Sequence, residues 1–321
     1  MNADDPAASA PAVVTVAPPN QYGFRDPRSV PGKPRGDDIL YAWRDREARR
    51  TPLERWLRHT LNRLKVTLPT TFRRVRDFMW RLTLGRWLWV KRGHGTDMIE
   101  VETMRMVAAH TNIPVPRIWT HFVWRGARYI IMDRARGVPL SNLWYDATPQ
   151  YKEEVCAQLA NYFRELRSLP TPYGPRVCSL LGGPVRDFRL RFDHTGPFEN
   201  EDDFNHRGAR FGWDIEYLPA EGMPQLVAEA HSMKHPIAFT HGDLDPRNVM
   251  VDGSRITAII DWECAGWFPA HWEYCKSIFA TLSWDDDDHE WVPWLRSMVP
   301  VYDTEARADK MLVRELFTPL L

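Results

Sequence analysis

His241-Gly-Asp-Leu-Asp-Pro-Arg-Asn248, followed by Ile259-Ile-Asp-Trp-Glu263, decides the fold. Asn248-Val-Met-Val251 reads as a short apolar strand and Arg255-Ile-Thr-Ala-Ile-Ile260 as a second. Asp252-Gly253-Ser254 between them are turn residues that tolerate positive φ. Folding about that turn brings Asn248 and Asp261 to one open end, with Asp243 on the loop that leads into the hairpin. Two acids and an amide gathered in this way suit a place where a metal-bound nucleotide meets a hydroxyl group. Phosphoryl transfer needs cations on the β- and γ-phosphates and a carboxylate that orients the attacking hydroxyl and takes its proton. Asn248 and Asp261 offer the hard oxygen donors that Mg²⁺ favours, which leaves Asp243 as the candidate base.

Working outward, a chain of 321 residues with 44% hydrophobic content can bury a sizeable core. Cys156, Cys178, Cys264 and Cys275 form no CxxC or Cys/His ligand pattern, which points to reduced thiols in a cytoplasmic protein. His231, His235 and His241 have no cysteine or acid at ligand spacing in the sequence, so no zinc site is expected from them. The first twenty residues carry early acids and no apolar run, unlike a signal peptide. No stretch approaches the roughly 18 apolar residues of a membrane span.

The formal charge of zero conceals an asymmetry. Residues 44–92 hold 15 Lys/Arg against four acids, a net +11, which leaves −11 for the rest. Trp43, Trp56, Trp80, Trp87 and Trp89 lie in or beside that basic stretch. It admits two readings: a helix pair packed on a small lobe with its arginines outward, or a peripheral contact with an anionic membrane surface. No nucleic-acid partner is expected.

Residues 1–37, rich in Pro, Ala and Gly, read as a disordered or extended arm. Helices are expected from Thr51-Pro52 to Leu64 and from Phe72 to Leu82. Trp87–Val90 is a strand candidate ending on Lys91. A helix then opens at Asp97-x-x-Glu100, a capping-box pattern, and a hairpin turns about Arg125-Gly126. Met132-Asp133-Arg134 would be the hinge to a second lobe. There a helix over about 149–169 shows Val155, Leu159, Tyr162, Phe163 and Leu166 on one side. The stretch 174–205 is broken by Gly and Pro and long for a loop, as functional loops are. The expected organisation is therefore an arm (1–37), N-terminal helices with a small nucleotide-side lobe (38–134) and a large catalytic and acceptor lobe (135–321).

The pattern His-x-Asp-x-x-x-x-Asn followed by a strand ending in Asp resembles the catalytic and metal-binding loops of the protein-kinase-like superfamily. The wording HGDLDPRN…IIDWECAG looks like the aminoglycoside phosphotransferase and choline kinase branch. Over roughly residues 85–280 the order Lys91, Val101-Glu102-Thr-Met, Ile113-Pro-Val-Pro, Leu181-Gly-Gly-Pro-Val-Arg, Phe239-Thr-His-Gly-Asp and Trp272-Glu-Tyr resembles the phosphotransferase-like proteins of filamentous fungi. The resemblance implies an α/β, two-lobed kinase-like fold with a small mixed sheet lobe and a larger, mainly helical one. It also implies a small-molecule kinase that uses ATP and Mg²⁺ and takes an alcohol group as acceptor. On that basis Lys91 contacts the nucleotide phosphates and pairs with Glu102, for which Glu100 is the rival. Met132 and Arg134 border the adenine, Asn248 and Asp261 hold metal, Asp243 acts on the acceptor, and His241 holds the catalytic loop. Residues 174–230 shape the acceptor site, and Asp245 is a hydrogen-bond partner within the loop.

One departure stands out. Upstream of Lys91 there is no room for the two strands and glycine-bearing loop that usually cover the phosphates, so Arg86, Arg92 or Gly93-His94-Gly95 would have to serve. Two other readings therefore stay open: a catalytically inactive kinase-like protein that binds a ligand or partner, and a tailoring enzyme that works without ATP.

Overall fold

The computed structural model describes residues 85, 87–93, 98–124, 126–190, 194–281 and 290–317. The arm at 1–37 and the two helices expected between 51 and 82 lie outside the described residues. The chain divides into two units, residues 22–89 on one side and residues 1–21 with 90–321 on the other. The architecture is the mixed α/β one expected, and its first described elements run strand, helix, hairpin. Strand β1 (Leu88–Gly93) carries Lys91, and helix α1 (Met98–His110) follows. The hairpin consists of β2 (Ile118–Trp124) and β3 (Ala127–Asp133), antiparallel with Phe122 opposite Tyr129 and Trp124 opposite Ala127. The sheet order is β1-β3-β2. Ile99, Val101, Met104 and Val107 of α1 are buried, as are Ile130 and Met132 of β3.

After the short β4 (Val138–Pro139), helix α2 runs over Pro149–Arg167. Thr148 caps it, its hydroxyl accepting from the Tyr151 N–H, and Pro149 takes the first turn, where a missing N–H costs nothing. Val155, Cys156, Leu159, Phe163 and Leu166 form its buried face, and Tyr162 packs at the margin. The broken stretch beyond residue 174 folds into small pieces: β5 (Cys178–Ser179), β6 (Val185–Arg186), β7 (His194–Thr195), the single turn α3 (Glu201–Asp203) and α4 (Met223–Ser232).

The decisive hairpin comes next. Strand β8 (Ile237–Thr240) leads into the loop, and β9 (Val249–Asp252) pairs with β10 (Arg255–Ile259). Their antiparallel register sets Arg255 opposite Asp252 and Ile259 opposite Val249, with an irregularity between Ile256 and Ala258. Gly253 turns the corner at φ +61°. Strand β11 (Gly266–Pro269) pairs with both β5 and β8. Helices α5 (Trp272–Thr281), α6 (Trp291–Met298) and α7 (Asp303–Leu312) complete the described chain. Trp272 and Trp291 are core residues: Trp272 meets Phe204 edge-on, and Trp291 meets Trp144. Among the described residues no helix is long and apolar enough to cross a membrane.

Candidate functional site

The loop between β8 and β9 is built around a buried histidine. His241 is fully buried, and its Nδ1 accepts the Asp243 backbone N–H at 3.2 Å. That bond assigns the ring proton to Nε2, which donates to the Ile260 carbonyl at 3.1 Å. One imidazole thus ties the start of the loop to the end of β10, with the Trp262 ring edge-on at 4.5 Å. Beneath it lies Glu273, at the start of α5 and without solvent exposure. Its Oε2 accepts the His241 N–H at 2.7 Å and its Oε1 the Gly242 N–H at 3.2 Å. Burial raises the Glu273 pKa, against the pull of His241 and of these two amides. Gly242 sits at φ +77°, and a Cβ there would lie 2.6 Å from the Cys264 carbonyl oxygen, so no other residue fits without displacing backbone.

Asp243 is half-buried, and Asn248 holds its side chain. The Asn248 amide donates to its carbonyl at 2.9 Å and to its Oδ2 at 2.8 Å. Asn248 is held in turn by the hairpin, because its carbonyl accepts the Ile260 N–H at 2.9 Å. Asp245 caps the turn Pro246–Asn248: it accepts the Arg247 N–H at 2.8 Å and the Arg247 guanidinium at 2.7 and 3.1 Å. Its carboxylate is a loop fastener, as the sequence suggests.

Asp261 leaves β10 in the left-handed region, at φ +66° and ψ +58°. An aspartate tolerates this conformation better than most residues, at a cost of about 1 kcal/mol or more. Its Oδ1 accepts from Lys91 Nζ at 2.7 Å. The same ammonium donates to Glu100 Oε1 at 2.8 Å and to Glu263 Oε2 at 3.2 Å. Glu263 Oε2 also accepts from Arg186 at 3.2 Å. Burial works against the Lys91 charge, but Glu100, Asp261 and Glu263 together outweigh it and raise its pKa. For Glu100 the balance is reversed. Burial pushes its carboxyl up to about 7 although Lys91 pulls it down, and its Oε2 is buried with no hydrogen-bond partner.

The expected pairing of Lys91 with Glu102 is therefore corrected. Glu102 faces Arg105, one helical turn on, at 2.8 Å, while Lys91 takes Glu100. Residues two apart on a helix point to nearly opposite faces. Glu100 shares a face with Thr103, Met104 and Val107, all buried, so its carboxylate reaches inward. The apolar stripe of α1 carries that signal in the sequence. Glu263 and Arg186 were legible only as parts of the quoted motifs, and Glu273 only as part of Trp272-Glu-Tyr. Of the adenine-side candidates, Met132 is buried in the core and Arg134 is exposed. Arg92 lies over the Tyr129 ring at 5.7 Å. Arg86 and residues 94–97, two of the three stand-ins for a phosphate-covering loop in whole or part, lie outside the described residues.

The donors facing this mouth are all oxygens: the Asp261 carboxylate, side chain 38% exposed, and the amide oxygen that Asn248 still offers. Around Lys91, three carboxylates face one ammonium and one guanidinium. The hard oxygen donors of Asp261 and Asn248 fit a divalent cation such as Mg²⁺.

The chain has recognisable relatives. The sequence model of a family described as a phosphotransferase enzyme family matches residues 98–297. A subtelomeric hrmA-associated cluster protein of Aspergillus fumigatus is 31% identical over 86 residues, a match covering 25% of this chain and 17% of that protein. An aminoglycoside 3'-phosphotransferase of Streptomyces fradiae is 24% identical over 164 residues, covering 50% of this chain and 56% of that protein. The matches thus span well under two thirds of either relative's length. Among solved structures, a thermostable mutant of aminoglycoside phosphotransferase APH(4)-Ia in complex with ADP and hygromycin B is 20% identical. Its TM-score is 0.45, with 71% of this chain and 77% of that one covered. Aminoglycoside phosphotransferase APH(3'')-Id from Streptomyces rimosus, in complex with ADP and streptomycin, is 14% identical with a TM-score of 0.42, over 70% of this chain and 85% of that one.

Proposed function

The chain belongs to the phosphotransferase enzyme family, and from that premise we propose that it transfers a phosphoryl group from Mg-ATP to a hydroxyl group of a small molecule. One observation carries this reading. Asp243 is fixed by Asn248 through a single carboxylate oxygen, at the end of a hairpin whose other strand runs into the Lys91-paired Asp261. With Oδ2 engaged by the amide, Oδ1 is the atom that faces an acceptor hydroxyl, orients its lone pair and takes its proton.

Asp261 and Asn248 would hold the cation. Bound there, Mg²⁺ would neutralise charge on the nucleotide phosphates. Lys91 is poised to place its ammonium against the α- and β-phosphates, with buried Glu100 as the support that fixes its direction. Met132 to Arg134 would border the adenine, and residues 174–230 would shape the acceptor pocket. His241 has both ring nitrogens committed to backbone groups, so it holds the loop and moves no proton.

The test is a thermal-shift titration with Mg-ATP followed by ADP release against a panel of hydroxyl-bearing small molecules, including aminoglycosides. Asp243→Asn should lower turnover by about 10²–10⁴-fold while the nucleotide-dependent shift persists. A wild-type chain that gains no stability from Mg-ATP would end the proposal.

A further inference from the structure

A second cluster lies apart from the phosphotransfer residues. Glu201 begins α3, His235 precedes β8, and His271 precedes α5; all three side chains are nearly buried, at 7%, 9% and 7% exposure. Glu201 Oε1 lies 2.7 Å from His235 Nδ1 and 3.6 Å from His271 Nδ1, and the two Nδ1 atoms are 3.2 Å apart. Two imidazole nitrogens and a carboxylate oxygen thus face one another. A single proton among them can join only one pair well, and the third atom is left with its lone pair turned on another lone pair. A cation satisfies all three at once.

We propose that Glu201 Oε1, His235 Nδ1 and His271 Nδ1 are the ligands of one zinc-class divalent metal ion. A tetrahedral zinc with bonds of about 2.0–2.1 Å separates its ligand atoms by about 3.3 Å; the 3.2 and 3.6 Å separations lie either side of this value, and the 2.7 Å pair would have to open by about 0.6 Å. The donors support the assignment: imidazole nitrogen with carboxylate suits zinc and its neighbours in the transition series, whereas Mg²⁺ takes oxygens. Around the ligands stands a supporting shell of the kind metal-bound histidines have. The opposite nitrogen of His235, Nε2, is 2.9 Å from Glu305 Oε1 on α7, and the second oxygen of Glu201 accepts the His235 backbone N–H at 2.9 Å. Beside His271 and Glu305 lies a cavity about the size of one water, where Asn205 Oδ1 and His231 Nδ1 are buried without a partner.

The site would be structural. It joins the start of α3, the strand that delivers the catalytic loop, and the residue two positions before Glu273. Its ligands include none of the residues that would hold nucleotide or Mg²⁺, and its test uses neither, so its fate is separate from that of the phosphotransfer reading. The sequence hid it because its ligands lie 34 and 36 residues apart, far outside the spacing of familiar zinc motifs.

The full chain, stripped with EDTA and titrated with ZnCl₂ without nucleotide, should bind one equivalent by elemental analysis. Zinc at about a hundredfold over its Kd should raise Tm by about 5–10 °C, and MgCl₂ should not reproduce this. CoCl₂ in its place should give the visible absorption of tetrahedral cobalt without a thiolate band. His271→Gln should abolish the zinc-dependent shift, and Glu305→Gln should weaken zinc by about 10–100-fold. If either variant fails to fold, X-ray absorption on the zinc-loaded wild type decides, with two imidazoles and an oxygen expected. Absence of zinc binding, unchanged zinc affinity in folded His271→Gln, or a zinc shell containing sulfur or no imidazole would each overturn the proposal.

Discussion

Replacing Glu100 with glutamine should make the protein more resistant to unfolding as pH rises, although it removes one partner of Lys91. The reason lies in where Glu100 sits. Burial raises its pKa from 4.5 to about 7 despite the ammonium 2.8 Å away. A carboxyl whose folded pKa exceeds its unfolded one contributes stability that is fully present below about 4.5 and is lost as pH climbs to about 7. At 1.36 kcal/mol per pH unit, integration between pH 5 and pH 8 gives a loss of about 2.5 kcal/mol in the wild type. Glutamine cannot ionise, so its variant escapes that loss. The new amide meets the same unpartnered surroundings as Oε2, a constant penalty of about 1 kcal/mol that does not vary with pH. The quantity to measure is therefore the change in the stability difference, not its absolute value. Urea unfolding of both proteins at pH 5, 6.5 and 8 should show Glu100→Gln gaining about 2.5 kcal/mol on the wild type across the range. Lys91 keeps Asp261 and Glu263 as partners, so its own charge is not stranded. A difference independent of pH, or one that moves against the variant as pH rises, would refute the reasoning.

Three further outcomes follow from the same geometry. Glu102→Ala should change stability by no more than about 0.5 kcal/mol and leave Mg-ATP binding intact, because its partner is the exposed Arg105 and not Lys91; calorimetry on this variant beside Glu100→Ala separates the two acids. Gly242→Ala should cost about 3 kcal/mol in denaturant unfolding, since the added carbon meets the Cys264 carbonyl at 2.6 Å in a left-handed backbone. Glu273→Ala should strip both loop amides of their acceptor and cost about 2–5 kcal/mol, with faster hydrogen exchange at His241 and Gly242 as the local readout.

Much of this site can be read before any coordinates, and the part that cannot has a physical explanation. The hairpin is local: apolar alternation, a turn with glycine at its corner and a fixed loop length determine which residues meet, so Asn248 and Asp261 could be placed together from sequence. The identity of the Lys91 partner is also local, though it follows from the period of α1 and not from the order of a motif. Glu102 fits the family wording, but only Glu100 lies on the buried face. Contacts across long separations are different. Lys91 meets Asp261 across 170 residues and Glu263 across 172, and nothing in either segment specifies the other. The histidine cluster shows the same limit: packing supplies its acid, Glu201 of α3, from 34 residues before His235.

The arrangement around Asp243 also explains why the loop can be precise without being wholly buried. The backbone groups that set its direction are bonded to side chains of the loop and of α5. The Asp243 N–H goes to the His241 ring and its carbonyl to Asn248, while the loop's leading amides go to Glu273. Glu273 and His241 have no solvent exposure, so these bonds do not compete with water. The Asp243 carboxylate is left half in solvent, and one of its oxygens is already spoken for by Asn248. The energetic burden of holding the loop in position is thus carried largely by the buried His241 and Glu273. The same logic assigns the strain at Asp261. A left-handed aspartate is retained there because the Ile260 N–H bonded to Asn248 and the Lys91 ammonium bonded to Oδ1 hold it from both sides. A mutation that frees either hold should act on the Asp261 carboxylate before it acts on the core.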